Sequence, residues 1–195
     1  MYPGLPQPAD SAPARPGIAE RLSRMIAVPT VSAEREESGP EPFEDFVGLL
    51  AELYPLVHAR LEFERIGELG LAYRWAPAVV TESAPVVLMA HWDVVPVTGQ
   101  EAAWKHAPFG GVVADGVVHG RGTLDDKGAL CALLEAVENL LAEGFRPSRE
   151  VWLCLGGDEE TYGEAAGRIA EVLSGRGVRP WLVLDEGGAV SDLPL

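Results

Sequence analysis

Three short, nearly continuous apolar runs end abruptly in ionisable residues, and that repeated pattern limits the fold more than any other feature of the chain. "PVVLMA" runs into His91-Trp92-Asp93, "EVWLCLGG" into Asp158-Glu159-Glu160, and "PWLVL" into Asp185-Glu186-Gly187-Gly188. A strand with one wet face alternates apolar and polar residues, whereas an unbroken apolar run needs cover on both faces. Helical patterns lie between the runs: "KGALCALLEAVENLLAEG", stopped by Gly144, and "GEAAGRIAEVLSGRG", stopped by Gly175 or Gly177. Strands alternating with helices predict an α/β fold, an open, mainly parallel sheet flanked by helices. Sites in such sheets form beyond the carboxyl ends of the strands, where all three ionisable clusters fall.

Upstream, "GIAERLSRMIAV" has helical periodicity and a stop at Pro29, "SAEREESGPEP" reads as a polar loop, and "FEDFVGLLAELY" predicts a second amphipathic helix ending at Pro55. Short strands are expected at "ARLEFERI" and "GLAYRWA". The proline- and alanine-rich residues 1–15 read as a disordered lead-in, with order beginning near Pro16. The 195 residues, 47% of them hydrophobic, suffice for one domain with its own core. A formal net charge of −15 opposes binding to nucleic acid or anionic lipid. Cys131 and Cys154 lack metal-finger spacing and are expected as buried thiols in a reducing cytoplasm. No apolar segment approaches bilayer-spanning length.

The clusters carry the chemistry. In extended backbone His91 and Asp93 share a face while Trp92 points away. That pair suits a metal ligand with its orienting carboxylate, and equally a buried histidine satisfied by a neighbouring acid. In "HGRGTLDDKGAL" the adjacent Asp125 and Asp126 stand where a helix starts. A helix cap accounts for one of them, but not for Lys127 and Gly128 directly after, nor for Gly120 and Gly122 before. The glycine spacing of a phosphate loop is missing. In "GGDEETYG" three successive carboxylates require a cation or a raised pKa, the condition of a metal ligand beside a general base. His58 is expected to pack as it enters a strand, His106 to lie in a loop near the site, and His119 to be structural. Arg121 either neutralises the acidic cluster or pairs at the surface.

Together, "LMAHWDVVPV", "W-x-H-x-PFGG", "GRGTLDDKGAL", "GGDEETYG" and "LDEGG", in that order, resemble the di-zinc metallopeptidase family of glutamate carboxypeptidase, aminoacylase and carnosinase. The nearest branch is the Gly-X carboxypeptidase (carboxypeptidase S) type. The resemblance implies that His91 binds one zinc, oriented by Asp93, and that Asp125 bridges two zinc ions and is followed by a cis bond to Asp126. It implies Glu159 as general base, Glu160 as a ligand of the first zinc, and one acid of the Asp185-Glu186 pair as a ligand of the second, with Asp185 favoured. Cobalt or manganese suits the same donors. The implied substrates are dipeptides or N-acyl amino acids with a free carboxylate. Members of the family are more than twice as long, with a lid or dimerisation domain and a later histidine ligand. Residues 16–195 are therefore expected to form the N-terminal portion of a catalytic domain, with little or no turnover alone. Two other readings stand beside this one: a non-catalytic remnant that binds metal or a partner chain, and a metal-dependent phosphoesterase.

Overall fold

Residues 14–186 are described in a computed structural model. The lead-in, apart from Ala14 and Arg15, lies outside the described residues, as do Gly187 and Gly188. The chain opens with α1 (Ile18–Ile26), α2 (Arg35–Ser38), α3 (Glu41–Leu53) and α4 (Pro55–Arg60). Strands β1 (Glu62–Ile66), β2 (Gly70–Trp75) and β3 (Val86–His91) follow, then a small hairpin of β4 (Val112–Ala114) and β5 (Val117–His119). The rest alternates: α5 (Lys127–Ala142), β6 (Val151–Gly156), α6 (Glu164–Gly175) and β7 (Leu182–Leu184).

The main sheet has the order β1-β2-β6-β3-β7. β3 pairs in parallel with both β6 and β7, while β2 runs antiparallel to its neighbours β1 and β6. Four of the five strands thus share one direction, as the apolar runs predict. The two sheet faces bury alternate residues, as the period of two requires. Leu71, Tyr73, Leu153 and Leu155 join the core under α1, α3, α4 and α5, whereas Ala72, Trp152 and Cys154 pack with Ile169 and Leu173 of α6. Both cysteines are free and buried. Among the described residues no helix is long and apolar enough to cross a membrane.

The local structure departs from the sequence expectation in four places. The segment expected as a polar loop contains a 3₁₀ turn at Ser32–Glu34 and the short α2. Pro55 does not merely close α3: it opens α4, since the first turn of a helix has no use for the missing N–H. His58 therefore lies in α4 rather than at a strand entrance, with Nδ1 3.1 Å from the Tyr54 carbonyl oxygen and Nε2 3.0 Å from the Tyr73 hydroxyl. The hairpin of β4 and β5 turns through Asp115 and Gly116, both at positive φ, a signal legible in "DG". Lastly, among the described residues β7 is an edge strand and not a covered one: Val183 is 50% and Leu184 59% exposed.

α5 ties the layers together. Its buried Glu138 accepts the backbone amides of Leu56 and Val57, at 3.0 and 2.9 Å, and so caps α4 from outside. One turn earlier, buried Glu135 is held by the guanidinium groups of Arg15 and Arg21.

Candidate metal centre

β3 ends at His91, β6 ends just before the acidic loop, and α5 starts just after Asp125-Asp126. These ends lie side by side because β3 and β6 are in parallel register, with His91 opposite Gly156. His91 is nearly buried, with Nε2 2.9 Å from Oδ1 of Asp125 and 3.8 Å from Oε2 of Glu159. Its Nδ1 lies 3.2 Å from the Asp93 carbonyl oxygen and 3.3 Å from Asp93 Oδ1. The Asp125–Asp126 bond is cis, as the resemblance implies.

Asp93 does more than face His91. It is wholly buried, and its two carboxylate oxygens accept the backbone amides of Glu159 and Glu160 at 3.1 and 3.0 Å. Asp158 turns away from the cluster and caps α6 through the amide of Ala165. Trp92 points into the core, stacked on Phe46 with ring centroids 5.4 Å apart and edge-on to Phe43. Only glycine fits at 157, where a Cβ would stand 2.4 Å from the Trp92 ring.

Ligand atoms of His91, Asp125 and Glu186 all lie within 4.8 Å of one another, and so do those of His91, Glu159 and Glu160. Either trio is compact enough to hold one ion. The geometry groups Glu186, and not the favoured Asp185, with His91 and Asp125; an Asp185 oxygen instead accepts the Glu186 backbone amide. Glu160 is grouped with His91 through Glu159 rather than through Asp125. Asp125 and Glu159 are 66% and 52% exposed, open to a molecule arriving from solvent.

The charges are matched to this arrangement. Burial alone would lower the His91 pKa, but hydrogen bonds to Asp93 and Asp125 raise it to about 10. Burial lifts Asp126 to about 6, and burial together with the charge of Asp125 lifts Glu160 above the usual carboxylate range. Crowded acids around one imidazole are the environment a divalent cation relieves.

Asp126 and Lys127 carry more of this site than their sequence positions announce. Oδ2 of Asp126 accepts the backbone amide of His91 at 3.0 Å. Lys127 is fully buried and donates to the carbonyls of Met25 and Val28. The signal was the excess of charge in "LDDKG" over what a helix cap needs. The remaining basic residues stand on the strap that includes β4 and β5. His106 and His119 pack ring against ring at 4.6 Å, and Arg121 lies over the Trp104 ring.

Two compact groups of one imidazole with carboxylates, at the strand ends of an α/β sheet, could hold a metal ion. The chain belongs to peptidase family M20/M25/M40, whose profile matches residues 87–190. It is 36% identical over 180 residues to the N-fatty-acyl-amino acid synthase/hydrolase of Homo sapiens, covering 91% of this chain and 35% of that protein. It is 35% identical over 188 residues to carboxypeptidase S of Saccharomyces cerevisiae, covering 89% of this chain and 32% of the relative. The chain thus spans about a third of the length of the curated relatives it matches. The fold is shared with the metallo-carboxypeptidase Sso-CP2 of Sulfolobus solfataricus, at a TM-score of 0.64 and 22% identity, over 89% of this chain and 38% of that one. Human carnosine dipeptidase 1 gives the same TM-score at 19% identity, over 87% of this chain and 38% of its own.

Proposed function

We propose that this chain is the metal-binding part of a zinc-dependent amide hydrolase acting on dipeptides or N-acyl amino acids with a free carboxylate. The reading is carried by one observation: His91, Asp125, Glu159, Glu160 and Glu186 converge from three strand ends and a helix start. The donor set, one nitrogen and several hard oxygens, fits zinc, and cobalt or manganese would accept it too. His91, Asp125 and Glu186 would hold one ion in this reading, and Glu160, grouped with His91 through Glu159, would stand by as a further ligand. Bound zinc would polarise a scissile carbonyl and lower the pKa of a water molecule.

The chain's own residues do the rest. Glu159 is the general base, taking a proton from the attacking water and returning it to the departing amide nitrogen. Asp93 orients the His91 ring and, by gripping the amides of Glu159 and Glu160, sets the base and the ligand at one height. The substrate class is supported by the names of the relatives, an N-fatty-acyl-amino acid synthase/hydrolase and a carboxypeptidase. Residues 16–195 supply one part of such a catalytic domain. The net charge of −15 supports small-molecule substrates over nucleic acid or membrane, and the unpaired thiols support a cytoplasmic setting.

A second reading is that the chain, which spans 35% of the human relative's length, binds an ion but turns nothing over by itself. Atomic emission on the purified chain, with dipeptide and N-acyl amino acid hydrolysis followed by amine release, separates the two. Zinc lost in His91→Ala supports the metal site, and amine release lost in Glu159→Gln supports the enzyme. Zinc content unchanged in His91→Ala would overturn both.

A further inference from the structure

Lys127 is a fully buried amine whose pKa burial pushes down to about 7. Burying a charge is costly unless polar groups receive it, and a methionine of similar length would fill the space at no such cost. The receivers are specific. Nζ donates to the Val28 carbonyl at 2.7 Å and to the Met25 carbonyl at 3.1 Å, and lies 4.6 Å from the centroid of the Phe46 ring. That ring is the one stacked on Trp92, between His91 and Asp93.

From Val28 the connection continues. Its carbonyl also accepts the Thr30 amide at 3.0 Å, the Thr30 hydroxyl donates to the Trp92 carbonyl at 2.5 Å, and the Val94 amide donates to the Thr30 carbonyl at 3.0 Å. One residue back from Trp92, the His91 amide donates to Asp126, which is bonded covalently to Lys127. The path is a closed ring: Lys127, Val28, Thr30, Trp92, His91, Asp126 and back to Lys127. It joins the end of α1, the end of β3 and the start of α5, and the last two carry His91 and Asp125.

We infer that Lys127 is a positioning residue: through this ring it sets the separation of His91 and Asp125 and so the affinity of the centre for its ion. The inference rests on the metal reading above. Its logic is that of the groups behind metal ligands, whose loss weakens binding without removing a donor.

Cobalt(II) serves as the probe, titrated into the full chain against a chromophoric chelator, with visible absorption recording the coordination geometry. Lys127→Met removes the amine arm that donates to Met25 and Val28 and Thr30→Val the hydroxyl arm, both keeping side-chain volume. Each is expected to weaken cobalt binding, Lys127→Met by about ten- to a hundred-fold, and to alter the visible spectrum while circular dichroism stays native. If Lys127→Met fails to fold, Thr30→Val decides alone. Wild-type affinity and spectrum in a folded variant, with binding abolished in His91→Ala, would overturn the positioning role and leave the metal reading intact. A wild-type chain showing no His91-dependent cobalt binding would overturn both.

Discussion

The carboxylate of Asp93 accepts the backbone amide of Glu160 at 3.0 Å, joining the end of β3 to the loop after β6 across 67 positions. Its other oxygen takes the amide of Glu159. The acidic loop is therefore hung from a buried carboxylate by its backbone amides, which leaves the carboxylates of its two glutamates to face His91.

Replacing Asp93 by asparagine tests that suspension. The amide NH₂ would face a backbone N–H, leaving a buried donor unpaired, at a cost of about 1–3 kcal/mol. Urea unfolding should show the loss, and chelator competition should show zinc binding weakened by about ten- to a hundred-fold.

Proton release tests the His91 environment. With a pKa near 10, the metal-free imidazole is protonated at neutral pH, and an ion must displace that proton. Affinity should therefore rise with pH towards 10. Calorimetric titrations at pH 7.5 in two buffers of different ionisation enthalpy should report about one more proton released by wild type than by His91→Asn. Equal release would place the proton elsewhere.

Gly157→Ala drives a methyl group into the Trp92 ring, which Phe46 and Phe43 keep from moving aside. Overpacking of this kind costs about 1–3 kcal/mol. A double-mutant cycle in denaturant with Trp92→Leu should recover much of it, because the smaller side chain vacates the space the methyl group needs.

The edge strand gives a prediction about solution behaviour. Trp181, Leu182, Val183 and Leu184 are all exposed, and unpaired apolar edges promote association. The 195-residue chain should show concentration-dependent light scattering, reduced by Val183→Lys with no change in zinc content.

The sheet, its direction and the convergence of the three clusters were legible because each depends on a local pattern: an apolar run, its length, and what ends it. His91 lies near Asp125 and Glu159 and is grouped with Glu160, but Asp125 follows no apolar run and its role rested on the resemblance. What was illegible depends on partners distant in sequence. Choosing between Asp185 and Glu186 needs the angle at which the chain leaves β7. The helical place of His58 turns on Glu138, more than 70 residues away, capping a helix too short to persist unaided. Lys127 drew notice as an excess charge, yet its acceptors are carbonyl oxygens, and backbone leaves no mark in a sequence.

α5 starts beneath His91 and, eleven residues later, reaches α4 through Glu138. At 1.5 Å per residue the two ends are roughly 17 Å apart on one stiff rod. A tilt imposed at Leu56 would swing Asp126, and with it the histidine amide, by leverage rather than by diffuse relaxation. Substitutions at Glu138, remote from every ligand, thus belong among those able to retune how tightly an ion is gripped.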